Sequence, residues 1–267
     1  MKIAIVISGL VRFPEQGLYF LQEIKKHSKH EIDIYAGIWS IDTLPDAITP
    51  YLKKTAVIPY TLRDELHDML ADKGLLGNHL NSSFINGHSG LISHMATCSV
   101  FAEDLKNYDV VVKWRWDVAI LYDYFELFCR WHQGLTNTLL SDDIRIDYGK
   151  PYMNEVVFIS DPELMIKAFT PVRERFLKLG VILNNNLKER ENYILSTFIS
   201  HASLVADVHG TLKTAPLRWA LLRKNILDNP ELIHTDNIDV LLNILDDPEL
   251  IYTDDIDMLL RLKRKED

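Results

Sequence analysis

The stretch Tyr108–Ile120, YDVVVKWRWDVAI, is where the reading of this chain begins. Asn107, Tyr108 and Asp109 make a polar turn, and Val110, Val111 and Val112 follow as an apolar β-branched run. Such a run reads as a buried strand. The chain then alternates through Lys113, Trp114, Arg115, Trp116 and Asp117. Charged side chains are rarely buried without partners, so three of them at the end of a buried strand point to a polar cleft. In open α/β sheets, ligands sit outside the carboxyl ends of the strands. Arg115 and Asp117 are therefore the first site candidates.

Outward from that strand, Ser89–Leu105 is expected to be a helix, with Leu91, Met95, Cys98 and Ala102 on one side, feeding directly into it. Upstream, Lys2–Ser8 reads as a first buried strand ending in Ser8-Gly9. Pro14–His27 carries Leu18, Leu21 and Ile24 at helical spacing, with Pro14 near its start. Ile32–Ile38 is a second strand, ending in Trp39-Ser40. This βαβ opening predicts a parallel sheet. A short helix is expected around Ala47–Lys53, a third strand at Ala56–Pro59 and a helix at Leu62–Lys73. Gly74–His88 is polar and punctuated by glycine, and reads as a loop.

Downstream lies an aromatic region, Tyr122–Trp131. Its Tyr122, Tyr124, Phe125, Phe128 and Trp131 suit a core or an aromatic binding platform. Val156–Ile159 is a further strand. Asp161-Pro162-Glu163 starts a helix through Phe169, with Asp161 as cap and Pro162 in the first position. Val172–Leu179 continues helical, and Lys188–Ser200 is another helix. Leu204–Val208 reads as a short strand before His209-Gly210.

The C-terminal part holds a tandem duplication of 18 residues. NILDNPELIHTDNIDVLL (225–242) is followed by NILDDPELIYTDDIDMLL (243–260). Each copy offers Asp, Pro and Thr-Asp signals of helix entry. Two copies are fewer than a free-standing solenoid needs. The EF-hand spacing and its central glycine are missing. The expected organisation is a catalytic or binding domain over 1–217 and a helical extension over 218–267.

Composition narrows the function. The net charge of -9 argues against a broad nucleic-acid footprint. Cys98 and Cys129 belong to no CxxC pair, which excludes the usual structural zinc spacing and favours free thiols. The apolar run in MKIAIVISGLVRF is too short for a secretory core, and no stretch reaches the roughly 20 apolar residues of a membrane span. A cytoplasmic, soluble protein is expected. A homo-oligomer is left open.

Three segments together resemble a known family. SGLVRF after strand one, DIYAGIWS at strand two and YDVVVKWRWDVAI are similar to a group of glycosyltransferases from capsule, lipopolysaccharide and phage gene clusters. Their pattern is SGQ-x-R, DxFxHxW and YDxVIRxRxD. The resemblance covers about residues 1–210. Here Leu10 stands for the Gln, Gly37 for the His and Lys113 for the first Arg. Arg115-Trp116-Asp117 takes the place of a metal-binding DxD, with one carboxylate.

The resemblance implies a GT-A-like (Rossmann-like) α/β fold, a mostly parallel sheet flanked by helices. It implies a nucleotide-sugar donor, a glycan acceptor as in polysaccharide biosynthesis, and Mn²⁺ or Mg²⁺. Asp117 would hold the ion, with His209 completing its shell; as alternatives, Asp117 ends a strand and His209 is structural. Arg115 would pair a phosphate, or else a neighbouring carboxylate. Ser8, Gly9 and Arg12 would contact the nucleotide, although Gly9 also suits a plain turn. Trp39 would line the donor pocket or sit in the core.

Glu191 would be the base that deprotonates the acceptor hydroxyl, or a favourable charge at a helix start. Asp142 and Asp143 are a second carboxylate candidate. Two further functions stay open: a phage transferase glycosylating modified DNA bases, which would need base flipping, and a non-catalytic transferase-like scaffold.

Overall fold

The computed structural model describes residues 1–12, 14–77, 80, 82–120, 122–142, 144–147, 150–153, 156–187, 193–215 and 220–221. The tandem repeats and Glu191 lie outside them.

The central strand is β1 (Lys2–Ile7). Its Ile3, Ile5 and Ile7 face one side of the sheet, and Ala4 and Val6 the other, all fully buried. A strand covered on both faces reads as a continuous apolar run for this reason. On one side β1 pairs in parallel with β2 (Glu31–Trp39), which pairs with β3 (Lys54–Ile58). On the other it pairs with β4 (Val110–Trp114), Ile3 opposite Val110 and Ile7 opposite Trp114. β5 (Val118–Ala119) follows, and then β6 (Thr138–Ser141). A separate antiparallel hairpin of β7 (Ile144–Asp147) and β8 (Lys150–Met153) comes next. β9 (Phe158–Ser160) and β10 (Thr211–Thr214) complete a seven-stranded sheet of order β10-β6-β9-β4-β1-β2-β3. β9 runs antiparallel to both its neighbours, and every other pairing is parallel. β11 (Ala220–Leu221) pairs antiparallel with β5, so the chain just past 218 is tied beside Asp117. The mostly parallel α/β architecture, a sheet flanked by helices, is the one expected.

Two cores lie on the two faces. Helices α1 (Pro14–His27) and α4 (Tyr122–His132) bury Leu18, Leu21, Ile24, Phe125 and Phe128 against Ile3, Ile5, Val112 and Trp114. The aromatic region is thus core at Phe125 and Phe128, while Trp131 is exposed. The opposite face carries α2 (Thr61–Asp72), α3 (Ser82–Leu105), α5 (Pro162–Phe169), α6 (Val172–Leu187) and α7 (Tyr193–Asp207). Gly37 lets α3 come close: a Cβ there would lie 1.8 Å from Thr97 Oγ1. Cys98 and Cys129 are free and buried in different cores.

Three expectations are corrected. α3 begins at Ser82, not Ser89, because Phe84 and His88 are buried and continue the Leu91–Met95 stripe by one further turn. Leu204–Val208 is not a strand. α7 runs on to Asp207, with Ile199, Ala202 and Val205 buried at a spacing of three. A short apolar run does not separate strand from buried helix by itself. Ala47–Lys53 forms only a 3-10 turn at Thr49–Tyr51 before β3 begins. The Asp161 cap is as expected, its carboxylate accepting from Leu164 N at 2.9 Å.

Candidate functional site

The sheet order places a crevice. From β1 the chain lays β2 and β3 to one side, then crosses to put β4 on the other. Such a switch point opens a cleft outside the carboxyl ends of the two strands. A cleft of about 170 Å³ lies there. Ser8, Gly9, Leu10 and Arg12 line it from the end of β1, and Lys113, Arg115 and Asp117 from β4 and its continuation. Asn86, Gly87, Ser89 and Gly90 line it from α3.

Each wall is held in place. Ser8 N donates to Trp114 O at 3.2 Å, joining the two strand ends. Gly9 turns the chain at φ +108°, a conformation glycine adopts without strain. Its amide donates to Ser93 Oγ at 2.9 Å, fixing the turn to α3. Val11 N donates to Asp42 Oδ2 at 3.2 Å. Ser8 lines the cleft, and its Oγ is buried with no hydrogen-bond partner among the described residues.

The charge of the cleft opposes that of the chain. Among the described residues that line it, Arg12, Lys113 and Arg115 face a single carboxylate, Asp117. Asp117 is claimed by Arg115, which donates from Nε to Oδ1 at 3.0 Å and from Nη2 to Oδ2 at 2.8 Å. The Asp117 side chain is 6% exposed and that of Arg115 30%. Lys113 is buried, its Nζ 3.4 Å from Val156 O and 5.6 Å from the centre of the Phe158 ring. Beneath it lie two buried imidazoles, His94 and His201. Burial, and then the Lys113 charge, hold both well below the ordinary histidine range. Both imidazoles are therefore neutral beside a buried ammonium, and of the three only Lys113 is among the residues that line the cleft. The arrangement suits an anionic ligand with several oxygens.

The structure brings Ser8, Gly9, Arg12, Arg115 and Asp117 into this one cleft. Trp39 is not part of it. It is fully buried and packs edge-on against Tyr60, with ring centres 5.5 Å apart. His209 stands at the other end of the sheet. It is exposed, at φ +60°, and its carbonyl accepts from Asn137 Nδ2 at 2.8 Å. With Tyr108, Asn137 and Asp161 it lines a second cleft, at the amino ends of β4, β6 and β10. The length of β4, roughly 16 Å at about 3.3 Å per residue, separates that end from Asp117, so the two do not share an ion. Asp142 accepts from Ser141 Oγ at 3.2 Å and does not line the cleft. Asp143 lies outside the described residues.

Sequence reasoning did not find Lys113, Ser93 or the α3 wall as site residues. The available signal is the small-residue pattern Asn86-Gly87 and Ser89-Gly90, which reads as a loop until the helix is extended to Ser82.

A scan of protein-family models gives no match, and a search of curated proteins gives none. Among solved structures, the chain is similar to the apo-form glycosyltransferase GlyE of Streptococcus pneumoniae, with a TM-score of 0.42 and 12% identity. That match covers 80% of this chain and 45% of the other, so this chain spans less than half of GlyE. Apo mouse xyloside xylosyltransferase 1 matches with a TM-score of 0.43 and 12% identity, over 80% of this chain and 85% of the other. Among the described residues, no helix is long and apolar enough to cross a membrane.

Proposed function

We propose that the chain is a glycosyltransferase that moves a sugar from a nucleotide-sugar donor to a glycan acceptor. The donor diphosphate would lie in the cleft between the ends of β1 and β4. The observation that carries this reading is the cationic lining of Arg12, Lys113 and Arg115 in a chain of net charge -9. Ser8, a lining residue whose buried hydroxyl has no partner among the described residues, supports it, as does the likeness of SGLVRF, DIYAGIWS and YDVVVKWRWDVAI to a transferase pattern.

The chemistry asked of these residues is electrostatic. In sugar transfer the bond between the anomeric carbon and the diphosphate oxygen breaks, and negative charge gathers on the leaving group. Fixed cations aimed at that charge stabilise the transition state most where water is excluded. Ser8 would donate a hydrogen bond to a phosphate oxygen, and Arg12 would close over it from the rim. Glu191, outside the described residues, keeps its proposed part as base for the acceptor hydroxyl. The transition state is oxocarbenium-like, as in glycoside hydrolysis.

A non-catalytic binding module is the second reading. The observation that favours it is the Arg115–Asp117 pair, which occupies the carboxylate a metal-dependent transferase would use. Incubation of the purified chain with UDP-, GDP-, dTDP- and CMP-sugars, with and without glycan acceptors, separates the two. The transferase reading expects release of the donor's nucleotide, a nucleoside diphosphate from UDP-, GDP- or dTDP-sugars or CMP from a CMP-sugar, from one donor class, lost in Arg12→Ala and Arg115→Ala. Binding without turnover of any donor would favour the module. No binding to any nucleotide would end the transferase reading and leave a scaffold that binds no donor.

A further inference from the structure

We infer that the cleft holds its diphosphate with side-chain cations alone, the Arg115 guanidinium standing where a divalent ion would and fixed there by Asp117. This rests on the donor reading above. The family resemblance implies Mn²⁺ or Mg²⁺ at Asp117, and the residues present do not fit one. Both carboxylate oxygens are engaged by one guanidinium fork, at 3.0 and 2.8 Å, in a side chain only 6% exposed. An ion would have to displace a bidentate, charge-assisted pair. Asp117 is the only carboxylate among the described residues that line the cleft. Nor does any group of three or more His, Cys, Asp or Glu side chains among the described residues form a metal site.

The surrounding charge points the same way. A dication entering beside Arg12, Lys113 and Arg115 meets repulsion that grows as the local dielectric falls. Those same cations supply the neutralisation that an ion otherwise provides to a diphosphate. Arg115 is built for it. A guanidinium has five N–H donors in a planar fork. Nε and Nη2 reach Asp117, and Nη1 is left for a phosphate oxygen. Asp117 is then a positioning residue: it acts on the ligand through the orientation of Arg115. The contact needs a fork rather than a point charge, so lysine would not replace it.

The test is calorimetric titration of the full chain with UDP, GDP, dTDP, CDP and inorganic pyrophosphate, in EDTA and then in Mn²⁺ or Mg²⁺. At least one nucleoside diphosphate is expected to bind in EDTA, with affinity changed by less than about threefold on adding metal. Arg115→Lys is expected to weaken that binding about tenfold or more. Asp117→Ala should weaken it in EDTA as well as in metal, and Asp117→Asn, which keeps an acceptor oxygen, should recover part of the loss. Melting temperatures of the variants separate lost contacts from lost fold. Binding that appears only with metal and vanishes in EDTA would overturn this inference and leave the donor reading standing. Absence of nucleotide binding in both conditions would overturn the donor reading, and the inference with it.

Discussion

Ser8 carries a hydroxyl that the fold buries and leaves without a partner among the described residues. Such a group costs free energy unless something hydrogen-bonds to it. Ser8→Ala is therefore expected to keep or raise the melting temperature, by up to about 1 kcal/mol of stability. The same change should weaken nucleoside diphosphate binding about tenfold, the value of one hydrogen bond to a charged oxygen. Scanning calorimetry and titration on the same variant check both halves. A less stable variant with unchanged affinity would make Ser8 a structural residue. At this scale the sequence is partly legible. Arg115 and Asp117 lie just past the end of β4, in the turn that follows Trp114, so the sequence shows that both stand at the strand's carboxyl end but not that they pair. Whether Asp117 takes an ion or a guanidinium cannot be read either, because that depends on what the β1 turn and α3 bring opposite them. Trp39 shows the limit: a strand-end residue looks the same in sequence whether it turns to the cleft or, as here, into the core beside Tyr60.

Elements are positioned by a few contacts that can be broken one at a time. Asp161 caps α5 through Leu164 N and also accepts from Thr138 N at 3.2 Å, tying the start of β6 to the same carboxylate. Loss of a helix cap costs roughly 1 kcal/mol and up to about 2. Asp161→Ala is expected near the upper end because two backbone donors lose their acceptor. Urea denaturation should show a lower midpoint with an unchanged slope. Gly37 is the second such point. A methyl group there would meet the Thr97 side chain, so Gly37→Ala must push α3 away from β2. Overpacking of this kind costs about 1–3 kcal/mol. It should also weaken nucleotide binding, since Ser93 on α3 anchors the Gly9 turn; unchanged stability and affinity would show that α3 gives way freely. The Asp161 cap is visible in sequence because Asp-Pro-Glu is a local signal. The start of α3 is not, because Asn86, Gly87 and Gly90 argue locally for a loop. What decides it is burial of Phe84 and His88 against α2 and α6, where His67 and Phe176 lie.

The whole molecule is divided by its sheet into two cores, and the larger one is threaded with imidazole. His67 on α2, His88 and His94 on α3 and His201 on α7 are all buried there, and His132 is buried at the end of α4. Burial holds each of them below the ordinary histidine value. For His88 the fall is to about 4, the hydrogen bond to Phe84 O only partly opposing it. His67, His94, His132 and His201 shift the same way, with burial as the largest cause. These groups are neutral in the folded chain and take up protons near pH 6.5 when it unfolds. The unfolded state therefore binds more protons between that value and the folded one, and stability rises with pH across the window. It is complete above about pH 6.5 and is lost as pH falls toward 4. His88 alone accounts for on the order of 3 kcal/mol when that loss is complete. Asp33 and Asp207 titrate lower. Burial raises both, but Lys53 and Tyr108 at Asp33, and Arg175 and Lys178 at Asp207, outweigh it, so their contribution fades only below the ordinary carboxylate range. Acid unfolding is thus expected in two stages, the first set by histidine. Melting temperature measured from pH 8 to 4 should be flat above 7 and fall steeply from about 6.5. His88→Gln retains a donor for Phe84 O and removes one titrating group, so its curve should be shallower over the same range. A wild-type melting temperature constant down to pH 4.5 would mean that these imidazoles are not buried neutral, and the packing of α3 on α7 would have to be redrawn.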